Sequence, residues 1–281
     1  MTEVEIKEKI RNHYQELSRN QKLLAEYIID HLDRIPFLSV QEVSDNSGAS
    51  TATIVRFAQR IGFSGYGDLK EAISLVLQES FKKNVFPSMA GLGDDVLSSV
   101  ARQDLQDIND TLVGLDRDDF NRTIELILQA DIVYTAGLGV SYLLAQLLAY
   151  QLNQAGIESR SLQRGSTSFL EQLLFAGEED LLIVLSYPPY SKETIEAAKY
   201  AIEKKVKVVA ITNKPASPVT FYSTISLVAR SENVLYTNSF AAMAVLMNAI
   251  ATECASGDKP RAEQMLHEVE RIYKSYGDTI P

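Results

Sequence analysis

The chain has 281 residues, of which 46% are hydrophobic and 23% are charged, and its formal net charge at pH 7 is −10. This apolar content excludes a mainly disordered chain, and the sequence contains no apolar run of about 18 residues that would cross a membrane. The single cysteine, Cys254, excludes a disulfide framework. We therefore expect a cytoplasmic protein that contacts no membrane, without a secretion signal in the charged residues 1–11.

The distribution of charge along the chain differs from its total. A net charge of −10 disfavours nonspecific coating of nucleic acid. Residues 46–67, however, contain no aspartate or glutamate and include Arg56 and Arg60. The acidic composition is therefore compatible with local binding of a polyanion by this segment.

Residues 1–80 show helical patterns and no convincing strand. Ser39 and Glu42 form a Ser-x-x-Glu capping box, which is typical of a helix start, and Gly62 is placed to end a later helix. Helices are predicted over residues 40–46, 51–61 and 68–79. The sequence therefore predicts an all-α domain over residues 1–80.

The rest of the chain divides into a linker and an α/β domain. Residues 81–93 contain a proline and two glycines without periodicity, so we predict a linker. Residues 94–281 alternate apolar strand candidates with helical stretches, which is typical of a doubly wound parallel sheet covered on both faces. Five strands are predicted, at residues 132–136, 157–162, 181–185, 206–211 and 225–229, with helices that include residues 141–155, 166–175, 191–204 and 239–253.

Two of the predicted short helices have the size of a helix-turn-helix. They cover residues 40–46 and 51–61, and Gly48 lies in the turn between them. Such a motif lays its second helix in the major groove of DNA, where residues near the helix start meet base edges and phosphates. The candidate DNA-binding residues here are Ser50, Thr51, Thr53 and Arg56. The alternative is a plain helical hairpin with solvated arginines.

Several motifs in residues 1–80 carry a family resemblance. The element Thr53-x-x-Arg56-Phe57, followed at this separation by Leu69-Lys70, resembles the amino-terminal domain of RpiR-type bacterial transcriptional regulators. The resemblance implies that this domain binds double-stranded operator DNA. Because Gln59 stands where lysine or arginine is frequent, it also implies that phosphate contacts depend more on Arg60 and Lys70.

A glycine-rich turn follows the first predicted strand. Gly137-x-Gly139-x-Ser141 would bring backbone amides and a helix start to the carboxyl edge of the sheet, where anions bind. A third glycine, expected in a dinucleotide fingerprint, is missing, because that position is Leu143 or Leu144. We therefore expect no nicotinamide cofactor.

A second polar loop follows the third predicted strand, from Ser186 to Ser191. Together the two loops resemble the SIS (sugar isomerase) domain, which forms the carboxyl-terminal half of RpiR-type regulators and recognises phosphosugars. Compared with the family pattern Ser-x-Ser-Gly-x-Thr, Pro188 and Pro189 replace the second serine and the glycine, which removes backbone donors. The resemblance therefore implies either a phosphosugar or a sugar acid as effector, bound by Gly137, Gly139, Ser141, Ser186 and Ser191. The alternative for the serines is helix capping and turn chemistry.

The choice between a regulator and an enzyme depends on candidate bases. Isomerisation needs a general base, and of the three histidines only His267 lies outside the helical domain. No cluster has metal-ligand spacing. We therefore expect a non-enzymatic regulator of carbohydrate metabolism genes without metal or cofactor, and the alternative is a sugar-phosphate isomerase with a helical appendage. The apolar helices at residues 141–155 and 239–253 predict a homodimer or homotetramer.

Overall fold

The computed structural model describes residues 3–89, 95–231 and 238–275. The chain divides into two compact units, Met1–Gly91 and Leu92–Pro281. The first unit is helical and the second contains a parallel sheet, as the sequence predicts. None of the helices in these ranges is long and apolar enough to cross a membrane.

The first unit is built from five helices joined by short connections. Ser18 and Ser39 each begin a helix with a complete capping box, in which the serine hydroxyl accepts a hydrogen bond from the amide three residues later. Ile28, Ile54, Phe57 and Leu69 are fully buried in their common core. The helices are α1 (Glu3–His13), α2 (Arg19–Asp30), α3 (Val40–Ser47), α4 (Thr51–Arg60) and α5 (Tyr66–Met89).

Helix α5 is longer than the sequence predicts. It continues to Met89 rather than ending at residue 79, so residues 81–89 of the predicted linker are helical. The expectation of an irregular segment rested on the absence of apolar periodicity in this part of the sequence, but a helix can continue through residues that lack such a periodicity. Residues 90–93 of the predicted linker lie outside the described residues.

The second unit begins with two helices and continues as an α/β sandwich. Its five strands are all parallel and follow the order β2-β1-β3-β4-β5. The strands are β1 (Val133–Ala136), β2 (Ser159–Ser161), β3 (Leu181–Ser186), β4 (Lys207–Thr212) and β5 (Ile225–Val228). The helices are α6 (Val96–Gly114), α7 (Arg117–Gln129), α8 (Val140–Gln154), α9 (Phe169–Gln172), α10 (Lys192–Glu203), α11 (Ala241–Gly257) and α12 (Lys259–Ser275).

Helices cover the two faces of this sheet. Helix α8 packs against β1, β2 and β3 and also against α11, whereas α10 packs against β3 and β4 and against α9. The central strands β1 and β3 are completely buried, which explains their continuous apolar sequence. The helix predicted over residues 166–175 is much shorter, because only Phe169–Gln172 is helical. Since β1 and β3 are neighbours and parallel, the loops that follow them lie at one edge of the sheet.

Candidate functional site

The turn between α3 and α4 has the geometry of a helix-turn-helix connection. Gly48 ends α3 in the left-handed conformation, with φ at +71°. Ser50 then caps α4: its hydroxyl accepts a hydrogen bond from the Thr53 amide at 3.2 Å and lies 2.8 Å from the Thr53 hydroxyl. Two of the three predicted DNA-contacting hydroxyls, those of Ser50 and Thr53, are therefore held together at the start of α4.

The end of α4 is closed by the predicted glycine. The amide of Gly62 donates to the Gln59 carbonyl at 3.1 Å, and the amide of Phe63 donates to the Ala58 carbonyl at 3.0 Å. These two bonds form a Schellman motif, and Gly62 has a φ of +92°. The prediction that Gly62 ends this helix is confirmed.

Helix α4 has one buried face and one outward face. Ile54, Phe57 and Ala58 are buried in the core of the helical unit. Arg56 is exposed on the other side, and its Nε donates to the Ala52 carbonyl one turn earlier at 3.2 Å. The guanidinium therefore lies along the exposed face of the first two turns, where the sequence places the DNA contacts.

Two further predicted DNA contacts, Arg60 and Lys70, are tied to the protein backbone. Arg60 donates from Nη1 to the Glu16 carbonyl at 2.8 Å, which links α4 to the turn after α1. Lys70 donates from Nζ to the Leu38 carbonyl at 2.8 Å and is half-buried. Both cations therefore hold neighbouring elements in place, a role that the sequence analysis did not foresee.

The first predicted effector loop is a tight turn from β1 into α8. A Cβ added to Gly137 would lie 2.5 Å from the Ser141 carbonyl oxygen, so only glycine fits there. Gly139 has a φ of +64° and is the residue from which α8 begins. Ser141 is buried in the first turn of α8. The turn therefore brings the amino end of α8 close against the end of β1.

The second predicted loop joins β3 to α10. Ser186 ends β3 with only 3% of its surface exposed, and its hydroxyl has no hydrogen-bond partner among the described residues. Ser191 caps α10, because its hydroxyl accepts from the Thr194 amide at 3.3 Å. An unpartnered buried hydroxyl is costly, and such a group is often reserved for a ligand. Ser186 is therefore the stronger ligand candidate, whereas Ser191 already has a capping role.

Tyrosines hold this second loop in place. Tyr187 donates to the Ala229 carbonyl at 2.8 Å, and burial raises the pKa of its phenol far above the usual value. Tyr190 donates to the Asn213 side-chain oxygen at 2.9 Å. The Asn238 amide also donates to the carbonyl of Pro188. The loop is thus anchored to the segments that follow β4 and β5, and its two prolines supply no backbone donors.

A cleft beside β2 contains candidate ligand residues that the sequence analysis missed. The cleft has a volume of about 510 Å³, and the loop after β2 forms much of its lining. Arg164 supplies positive charge, whereas Arg160 forms an ion pair with Glu158, and Phe175 is 95% exposed at the border of the cleft. The Gln172 side chain fixes the loop, since it bonds both the amide and the carbonyl of Gln163. The sequence signal that could have indicated this cleft is the pair of arginines close to the run Gly165-Ser166-Thr167.

Metal binding finds no support in the described part of the chain. No group of three His, Cys, Asp or Glu side chains is arranged there to hold a metal ion. Cys254 is buried, and burial raises the pKa of its thiol to about 12. This cysteine is therefore a packing residue.

Comparisons with known proteins agree with the two-unit architecture. Residues 4–80 match the family model described as a helix-turn-helix domain of the rpiR family, and residues 126–253 match the SIS domain. An uncharacterized HTH-type transcriptional regulator of Clostridium perfringens is 27% identical over 238 residues, which cover 82% of this chain and 84% of that protein.

Two solved structures share the fold. The Vibrio vulnificus NanR protein complexed with ManNAc-6P has a TM-score of 0.64 and 22% identity, and the alignment covers 96% of this chain and 98% of that chain. The sugar isomerase domain of an RpiR transcription factor from Sphaerobacter thermophilus has a TM-score of 0.60 and 29% identity, with 62% and 97% covered. The chain is therefore an RpiR-type transcriptional regulator, with an amino-terminal helix-turn-helix domain and a carboxyl-terminal SIS domain.

Proposed function

We propose that this regulator reads operator DNA with the exposed face of α4 and that a sugar-derived anion at the carboxyl edge of the sheet controls its affinity. The proposal that a ligand controls DNA affinity rests on the buried Ser186 hydroxyl, which lies at the end of β3 and has no partner among the described residues. A regulator's ligand site needs such donors at the sheet edge, where α/β proteins bind their ligands.

The DNA-binding role of α4 rests on its charge and shape. Residues 46–67 contain no carboxylate that would repel phosphates, and Arg56 is exposed on the outward face. Ser50, Thr51 and Thr53 surround the helix start, where short hydroxyl side chains allow close approach to the groove wall. Arg60 and Lys70 support this surface, because Arg60 holds α4 and Lys70 holds the segment that precedes α3. Contact with phosphates is a second role that we propose for both residues.

The class of effector follows from the groups at the sheet edge. Gly137, Gly139 and Ser141 offer a helix start to an anion, which the amino end of α8 favours. Pro188 and Pro189 leave the second loop poor in donors, so we propose that Arg164 in the cleft beside β2 supplies charge for a phosphate or a carboxylate. Arg160 lines the same cleft but is paired with Glu158, so it would have to exchange this partner for the ligand. The complex of NanR with ManNAc-6P supports a carbohydrate derivative as the ligand class.

We propose that the protein acts as a homodimer or homotetramer. Leu143, Leu147 and Tyr150 are exposed on one face of α8, at the spacing of successive helical turns. Such a face fits a second copy of the chain, and a dimer would place two α4 helices on the half-sites of a palindromic operator. The domain limits proposed with this arrangement are residues 1–80 for DNA binding, 81–93 for the linker and 94–281 for sensing.

The proposed role is regulatory rather than catalytic. His267, the one histidine outside the helical domain, is exposed on α12, the last helix. The protein is proposed to act in the cytoplasm on genes of carbohydrate metabolism, as a binding protein without metal or cofactor. The match of residues 4–80 to the rpiR-family helix-turn-helix domain and the similarity to an HTH-type transcriptional regulator support this assignment.

A thermal-shift screen of the full-length protein tests the proposal. The panel contains sugar phosphates, sugar acids and amino sugars, and each stabilising compound is then added to a titration of operator DNA. We expect an anionic sugar to raise the melting temperature and to change operator affinity. Turnover of that sugar at a rate typical of isomerases would contradict the regulatory assignment.

A further inference from the structure

The outward face of α4 carries an apolar notch. It has a volume of about 430 Å³ and is open to solvent, and it lies where the first turn of α3 meets the first two turns of α4. Its lining surface is mainly apolar and comes from Val40, Thr51, Ala52, Val55 and Arg56. The notch lies on the same face as the proposed DNA contacts and is distinct from the core residues of α4.

Two apolar side chains of the notch, Ala52 and Val55, lie outside the core of the helical unit, whereas Val40 is half-buried and packs against the edge of that core. Val55 is 36% exposed, and Ala52 is exposed one turn before Arg56. Ile54, Phe57 and Ala58 already provide the buried face of this helix. Valine is also a weaker helix former than the long polar residues usual on helix surfaces. These positions therefore favour contact with something outside the unit.

We propose that this notch receives the 5-methyl group of a thymine in the major groove. Thymine is the one standard DNA base that presents a methyl group in that groove, and small apolar side chains are its usual contacts. Arg56 forms one side of the notch, where it can bond the neighbouring guanine or phosphate. The inference rests on the proposed DNA-binding role and adds a base identity to it.

Charge favours DNA over a protein segment as the occupant. Residues 46–67 include Arg56 and Arg60 and contain no acid. The amino end of α4 lies beside the notch, and its free amides favour a nearby phosphate. An apolar protein segment would gain nothing from these groups, whereas a thymine is always attached to a phosphate backbone.

The test removes the methyl group from the DNA. A duplex is first selected by the full-length protein from random-sequence DNA, and each thymine is then replaced singly by deoxyuridine. Fluorescence anisotropy measures the dissociation constant for each duplex. We expect one position in each half-site at which affinity falls about fourfold, the effect of burying one methyl group.

A matched protein variant locates the contact. Val55→Asn replaces the two methyl groups of the valine with a polar amide, so we expect the thymine and deoxyuridine duplexes to bind it almost equally. Leu75→Asn changes another exposed apolar residue of the same unit, at 56% exposure, and should keep the fourfold difference. Circular dichroism of both variants checks that the helical unit is folded.

Three results would overturn the inference. If no deoxyuridine substitution changes affinity while the duplex still binds, the notch does not read thymine and the DNA-binding role stands. If the fourfold difference persists in Val55→Asn and also in Val40→Asn, the methyl group is read elsewhere. If the protein selects no duplex at all, both the inference and the proposed DNA-binding role fail.

Discussion

Lys70 on α5 and Leu38, which lies just before the start of α3, are joined by a hydrogen bond of 2.8 Å from the lysine ammonium to the leucine carbonyl. The Tyr66 hydroxyl donates to the same carbonyl at 2.9 Å. The two hydrogen bonds to this carbonyl therefore attach the segment that precedes the helix-turn-helix to α5. The bond explains how a lysine expected to contact phosphate also organises the fold.

Replacing Lys70 tests this structural role. We expect Lys70→Met to lower the free energy of unfolding by about 1 kcal/mol, because the Leu38 carbonyl loses a charged donor while Tyr66 still bonds it. Urea denaturation followed by circular dichroism measures the change. Unchanged stability together with weaker operator binding would show that Lys70 acts only on phosphate.

Replacing Arg56 tests the DNA contact of α4. We expect Arg56→Ala to weaken operator binding by about 1–3 kcal/mol, because a guanidinium that bonds guanine or phosphate is lost. Anisotropy titrations at several salt concentrations measure affinity and its salt dependence. Arg60→Ala is the matched control: it breaks the bond to the Glu16 carbonyl and should affect stability more than base recognition. Full affinity in Arg56→Ala would remove this residue from the interface.

Ser186→Ala separates stability from sensing. Because the Ser186 hydroxyl is buried without a partner in the described structure, its removal should leave the melting temperature unchanged or slightly higher. The same change should abolish the response of operator binding to the sugar anion and leave DNA affinity without ligand intact. Thermal shift and anisotropy measure the two effects. A normal response in Ser186→Ala would place the ligand elsewhere.

Two glycines of the β1–α8 turn are expected to differ in the cost of substitution. In Gly137→Ala the new methyl group would meet the Ser141 backbone at 2.5 Å, so we expect a loss of about 3 kcal/mol or more. Gly139→Ala meets no atom within 4 Å and should lose only about 1–3 kcal/mol from its positive φ. Gly177→Ala, with open space and no positive φ, is the control. Equal losses at Gly137 and Gly177 would contradict the close contact with α8.

Cys254 is expected to report unfolding of the SIS domain. Its side chain is 1% exposed, and burial raises the pKa of its thiol to about 12. Iodoacetamide at pH 8 should therefore leave the native protein unmodified and react in urea. Because burial raises the pKa of this thiol in the folded protein, the unfolded chain releases the proton at a lower pH than the folded chain. The contribution of Cys254 to the free energy of unfolding should therefore be fully present below about pH 9 and should decrease as the pH rises above that value. Rapid alkylation of the native protein would show that α11 is open to solvent.

The sequence predicted the features that depend on local signals. The capping residue Ser39, the terminating Gly62 and the continuous apolar strands all lie where local chemistry places them. The bonds of Arg60 and Lys70 could not be predicted, because their carbonyl partners lie 44 and 32 residues away in sequence. Helix α1 was missed because its pattern is weak.

The candidate ligand site also combines features that the sequence predicted with features that it did not. The glycine turn before α8 was visible, since glycine at a strand-to-helix turn has a specific conformational use. The cleft with Arg160 and Arg164 could not be predicted from the sequence, because its walls come together only when the loop after β2 folds around Gln172. The anchoring of Tyr187 and Tyr190 likewise depends on the neighbouring strands.

One titration addresses the link between the two units most directly. The dissociation constant of full-length protein for its selected duplex is measured by anisotropy with and without a saturating amount of the sugar anion that stabilises the protein most. The account predicts a change of at least about fivefold, the lower end of usual coupling between two sites. An identical dissociation constant in both conditions, with the anion demonstrably bound, would contradict it.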